Sequence, residues 1–217
     1  MSVIDLLIRS LPLLLQGALT TLWISLLGMA LALVIGLLVA ILALSGMRVL
    51  AWFAGVYVSF FRGTPLLVQL FIIYFGLANI IRFTPFQAIV IGLSLHFGAY
   101  IAESFRGAIL SISEGQWEAA RSLGLKPFHT FIYVILPQAW RRAIPSIWNS
   151  LIDVVKASSL ASVVTVQELT NVADQISSAS AVVLPILLEA AAIYWALTTL
   201  LDILQRYFER RYSYSDT

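Results

Sequence analysis

Asp153 and Lys156 stand three residues apart in the segment NSLIDVVKASSL. On a helix that spacing puts opposite charges on one face, about one turn apart. Such a pair can simply neutralise itself. It can also line a site for a zwitterion, the carboxylate holding an ammonium and the lysine a carboxylate, with the hydroxyls of Ser158 and Ser159 just beyond. Glu103 is a second charged position with two candidate partners, Arg106 and Arg62. Glu189 lies in the last apolar run, where it either pairs with a neighbouring subunit or sits near the outer interface. His96, beside Phe97 and close to Tyr100, is either a packing histidine or a titratable ring that meets a substrate. Ionisable side chains at membrane depth cost about 2.5–3.5 kcal/mol each on insertion scales, so they pair up or line a pathway.

Several other chemistries are missing. The chain has no cysteine, and its two histidines, His96 and His129, have no neighbouring ligand pattern, so no metal site is expected. No nucleophile and base form a constellation suited to an enzyme. A P-loop needs Gly-x-x-x-x-Gly-Lys-Ser/Thr to cradle phosphates. Neither lysine, Lys126 or Lys156, follows a glycine. If ATP drives any process here, its hydrolysis belongs to another polypeptide.

The elements that must hold these residues are membrane helices. Of 217 residues 60% are hydrophobic and 11% charged, with a mean hydropathy of +0.94, against roughly one-quarter charged in soluble domains. The net charge of +2 is small, and no nucleic-acid partner is expected. Five spans are predicted, at about 16–45, 52–81, 85–111, 139–166 and 183–206. Between Arg9 and Arg48 no ionisable residue occurs, too long a run for a cleaved signal and for one crossing. Residues 1–15, closed off by Pro12, are therefore expected along the membrane surface. Gly63 and Pro65 should break or kink the second span beside Arg62. In the first span Gly28, Ala32, Gly36 and Ala40 recur every four residues, and Ser94, Gly98 and Ala102 do so in the third, marking close-packing faces.

Arg48, Arg106, Arg121, Lys126, Arg141, Arg142, Arg206, Arg210 and Arg211 fall on one side of these spans, and only Arg9 and Arg82 on the other, the side of Asp5, Glu168 and Asp174. By the positive-inside rule the N-terminus is outside and the C-terminal tail, 207–217, is cytoplasmic. So is the polar island SEGQWEAARSLGLKP at 113–127. Ser113 and Gln116 match a capping box that starts a helix at Glu114, and Gly124 is a natural terminator. Glu118 and Arg121 lie one turn apart with Ala119 and Ala120 between them, a shallow surface that a partner can approach.

The motif EAARSLG followed by ILPQA closely resembles the cytoplasmic loop of permease subunits of ATP-binding cassette importers. The resemblance extends over FRGTPLLVQLFIIYFG at 61–76, LSLHFGAYIAESFRGAI at 93–109, GQWEAARSLG at 115–124 and VILPQAWRRAIPSIWNS at 134–150. It is nearest the branch that imports polar amino acids. It implies an all-α, type I importer transmembrane domain spanning 1–217, in a bacterial inner membrane. Glu118, Ala119, Ala120, Arg121 and Gly124 would couple it to an ATPase, with ATP and magnesium bound there and no cofactor on this chain. Arg62, Gly63 and Pro65 belong to a structural motif. The implied partners are ATPase subunits, a second permease copy or sister subunit, an extracytoplasmic solute-binding protein, an amino acid and the bilayer. Where the branch commonly has Lys-Asp-Thr-Ser-Leu, this chain has Lys156-Ala157-Ser158-Ser159-Leu160, with Asp153 one turn earlier. Asp153, Lys156, Ser158, Glu103 and His96 are the substrate-path candidates. The rival reading is an ion-coupled carrier or channel that acts alone, against which the lack of an inverted repeat counts.

Overall fold

A computed structural model describes the backbone of residues 3–212 and side chains as far as residue 209. Residues 1, 2 and 213–217 of the expected surface segment and tail lie outside the described residues, as do the side chains of Arg210 and Arg211. The described residues are helical, with no strand among them. Helix α1 is Val3–Ala43 and α2 is Arg48–Gly63. Helix α3, Leu66–Phe71, continues through a π-helical turn to Gly76, and α4 is Pro85–Leu110. The short α5, Glu114–Ser122, precedes α6, Pro127–Thr130, a second π-helical turn and α7, Leu136–Ala157. A 3-10 stretch, Ser158–Val164, leads into α8, Leu169–Ser180, and α9, Val183–Tyr212. Four of these stretches are long and apolar enough to cross a bilayer, and a fifth if α2 and α3 count as one broken span bent by 105°.

The bend falls at Gly63–Thr64–Pro65, where the sequence placed it. Pro65 cannot continue the helical ladder, and it forces Thr64 into an extended conformation. The break expected at Pro12 is absent, and α1 runs through it. Ser10, buried beside it, has one hydroxyl hydrogen, which the Leu7 carbonyl at 2.9 Å and Glu189 of α9 at 2.7 Å share. That fastens the first turns of α1 to the bundle and gives Glu189 a partner within its own chain. Pro137 is likewise absorbed: the π-helical turn at Phe131–Ile135 widens the ladder just before it, so the helical path runs from Pro127 to Val164.

The two small-residue ladders face one another. A Cβ on Gly28 would stand 3.1 Å from Leu93 Cβ, and one on Gly36 would stand 2.9 Å from the Gly98 carbonyl oxygen. Ser94 directs its hydroxyl hydrogen mainly to the Val90 carbonyl of its own helix, and its Oγ stands 3.3 Å from the Gly28 carbonyl across the seam. Around it Ile24, Leu93, Ile101 and Phe105 are fully buried. Glu168, read from sequence only as one more outer acid, has no exposed surface. It caps α8, accepting from the Thr170 and Asn171 amides at 2.9 and 2.8 Å and from Tyr194 of α9 at 2.8 Å, with Thr21 of α1 at 3.4 Å. One buried carboxylate thus holds α8 against α1 and α9.

Candidate functional site

Helices α4 and α7 pack antiparallel, and the register is fixed by polar contacts. Near one end Arg142 donates to Ser111 Oγ at 3.0 Å, and further along Ser104 and Ser146 share a 2.6 Å hydrogen bond. Continuing the same register brings His96, Phe97 and Tyr100 of α4 beside Ser150, Asp153, Lys156 and Ala157 of α7. Together they line an open pocket of about 500 Å³. His96 lies fifteen residues from Ser111, about 22 Å along α4 at 1.5 Å per residue, so the pocket is near the middle of that helix.

Inside it Lys156 Nζ and Asp153 Oδ1 form an ion pair of 2.7 Å, with 58% and 59% of the two side chains exposed. An exposed helical pair three residues apart is worth only about 0.2–0.5 kcal/mol in water. Both groups therefore stay available to a charged ligand at little cost. Ser158 does not join them. It has no exposed surface, and its hydroxyl donates to the Val155 carbonyl at 2.8 Å. Ser159 likewise donates to the Lys156 carbonyl at 2.7 Å. The hydroxyls expected to serve a ligand bond back to carbonyls of the preceding turn instead, where α7 tightens into the 3-10 stretch. Ser150, missed from the sequence, takes their place in the wall.

Toward α5 lies a second polar cluster. Arg106 grips Glu103 with two hydrogen bonds of 2.9 and 2.8 Å, and Arg62 approaches the same carboxylate at 3.7 Å. Both partners considered for Glu103 are thus engaged. The Arg62 guanidinium also stands 5.3 Å from the Tyr100 ring centre, which links the α2–α3 bend to the pocket wall. A second groove, of about 550 Å³, is lined by Trp52, Gly55, Val56, Ser59 and Phe60 and carries no charged group.

Helix α5 begins at Glu114 as expected, but Ser113 makes no side-chain cap. Gln116, which would complete the box, instead accepts from Gln138 of α7 at 3.1 Å. The C-terminal end is closed by Gly124 at φ +76, with the Leu125 amide bonded to the Ala120 carbonyl and the Gly124 amide to that of Arg121. Glu118, Ala119 and Arg121 are exposed; Ala120 is buried and cannot meet a partner. Arg121 bonds back to the Trp117 carbonyl at 3.3 Å. Leu123, Phe128 and Tyr133 stand 81%, 71% and 69% exposed close by in the chain, large side chains that the sequence reading passed over. The signal was there: they are large apolar residues in or beside a polar island. Among the described residues no three His, Asp or Glu side chains gather to hold a metal.

The family described as binding-protein-dependent transport system inner membrane component matches residues 32–214. The probable amino-acid ABC transporter permease protein YckA of Bacillus subtilis is 43% identical over 95% of this chain and 92% of its own length. The glutamine transport system permease protein GlnP of Escherichia coli is 42% identical over 93% of this chain and 94% of its own length. Among solved structures, an amino acid ABC transporter with histidines is 34% identical, with a TM-score of 0.90 over 97% of this chain and 99% of that one. The MetNI methionine ABC transporter in an inward-facing conformation, at 22% identity and a TM-score of 0.82, shares the fold.

Proposed function

We propose that this chain, which belongs to the family of inner membrane components of binding-protein-dependent transport systems and is a permease subunit of an ATP-driven importer, passes a polar amino acid along the α4/α7 face. The observation that carries the reading is the polar row on that face. Arg142, Ser146, Ser150, Asp153 and Lys156 of α7 run beside Ser111, Ser104, Tyr100 and His96 of α4, from the end nearest α5 to the middle of α4. Half-exposed charges such as Asp153 and Lys156 are too costly to face lipid tails. A second copy or a sister subunit covers this face, and the amino acid moves through the water between the two.

In the pocket Asp153 receives the ammonium and Lys156 the carboxylate, each released from a weak mutual pair. The absence of an acidic residue at Ala157 moves the carboxylate one turn along α7, so the preferred amino acid is not read from the branch as a whole. Helix α5 is the coupling element on the cytoplasmic side, in a bacterial cytoplasmic membrane. Glu118, Ala119 and Arg121 meet the ATPase, Gly124 shapes the end of the rod, and Leu123, Phe128 and Tyr133 add apolar anchors. The partner ATPase, not this chain, holds ATP and magnesium. Gln116–Gln138 carries its motion into α7, the helix that bears Asp153. An external binding protein delivers the substrate to the opposite end, where α8 lies.

Two substitutions test this division of labour. In proteoliposomes loaded with ATP, Asp153→Asn lowers amino-acid uptake while the ATPase still co-purifies. Glu118→Ala loses the ATPase on purification. Wild-type uptake by Asp153→Asn removes that residue from the path.

A further inference from the structure

Gln69 is a buried amide, 2% exposed, one turn into α3. The bend after Gly63 leaves the Phe61 and Thr64 carbonyls without helical donors. Gln69 Nε2 stands 3.0 Å from the first and 3.1 Å from the second, and 2.8 Å from Thr64 Oγ1. The Thr64 hydroxyl spends its own hydrogen on the Phe60 carbonyl at 2.8 Å, so toward Gln69 it can only accept. Three acceptors surround this one nitrogen. A flipped amide would set oxygen against all three, so the orientation follows from chemistry. Gln69 Oε1 is then the atom facing His96 Nδ1, at 3.2 Å.

A carbonyl oxygen cannot donate, so Nδ1 must carry the hydrogen. A neutral imidazole has only one N–H, which leaves Nε2 as a bare acceptor. Among the described residues no donor bonds Nε2, and His96 lines the α4/α7 pocket. Phe97 and Tyr100, each with its ring centre 5.2 Å from that of His96, hold the ring plane. We infer that His96, locked by Gln69 as the Nδ1–H tautomer, is a specificity-determining acceptor for a donor group of the transported amino acid: its ammonium or a side-chain amide or cation. The inference rests on the pocket being the substrate path. It also gives the bend between α2 and α3 a direct line to the ligand, because one amide holds both.

The test starts from the full chain in lipid nanodiscs. It has only two histidines, so ¹⁵N-histidine labelling gives two ring systems, and His129→Gln assigns them. The expected spectrum shows His96 protonated at Nδ1 and bare at Nε2, and Gln69→Leu releases that tautomer. A ring protonated at Nε2, or at both nitrogens, overturns the lock. Uptake by the assembled, ATP-driven complex is then measured with a mixture of the twenty proteinogenic amino acids and L-cystine as the probe. Its concentration for half-maximal uptake rises roughly tenfold in His96→Phe, the worth of one hydrogen bond of this kind. His96→Gln, whose side-chain oxygen supplies an acceptor, recovers most of that loss. Unchanged uptake in His96→Phe, with Asp153→Asn still impaired, sinks the role of His96 alone. Unchanged uptake in both variants sinks the path.

Discussion

Replacing Gly36 by alanine should part α1 from α4. A Cβ at that position would stand 2.5 Å from Ile101 Cγ2, 2.7 Å from Ile101 Cβ and 2.9 Å from the Gly98 carbonyl oxygen. Comfortable contact between carbon atoms is about 3.5–4.0 Å, so the shortfall is roughly 1 Å. Neither Ile101 Cβ nor the Gly98 backbone can rotate out of the way; relief requires the helices themselves to move. Overpacking of a close-packed interior costs about 1–3 kcal/mol. For a chain of this size that lowers a thermal midpoint by about 2–12 °C. The control is Gly55→Ala, whose added Cβ meets nothing within 4 Å. Tryptophan fluorescence or a thiol-independent thermal shift assay on both variants in one detergent provides the comparison. Equal midpoints would refute the claim that the Gly28–Gly36 ladder sets the α1/α4 spacing.

Two further outcomes follow from buried groups and backbone. Glu168→Ala leaves two amides and the Tyr194 hydroxyl without their acceptor at the join of α1, α8 and α9. At about 1–3 kcal/mol for each buried donor left unmade, the folded fraction in detergent should fall sharply on size-exclusion chromatography. Gly124→Ala forces an L side chain to φ +76, at about 1–2 kcal/mol. This should weaken ATPase retention on a pull-down less than Glu118→Ala does, because it loosens the end of α5 without removing a contact.

The sequence was informative where lipid imposes a simple constraint. Long uncharged runs located the crossings, the four-residue spacing of small residues marked two close-packing faces without saying that they meet, and Gly63 with Pro65 located the bend. It was silent where a residue's meaning depends on what lies across the bundle. Glu168 and Gln69 read as ordinary polar residues, yet each satisfies backbone groups stranded at a helix end. Helices apolar all round give no stripe from which a buried face can be read. The inward turn of Ala120, and the withdrawal of Ser158 from the pocket, were invisible for a related reason: one helical position decides between wall and core. Pro12 misled because a local proline rule yields to tertiary packing: Ser10 ties the first turns of α1 to α9, and the helix runs straight through.

The natural absence of cysteine makes one labelling experiment decisive. Ala157 lines the pocket beside Lys156, and Ala157→Cys places a single thiol in the permease there. In the assembled complex, a membrane-impermeant maleimide should label it from the cytoplasmic side without nucleotide and from the opposite side once ATP is bound. The transported amino acid should slow both reactions. A labelling rate indifferent to nucleotide and to substrate would mean that the α4/α7 pocket is not the route.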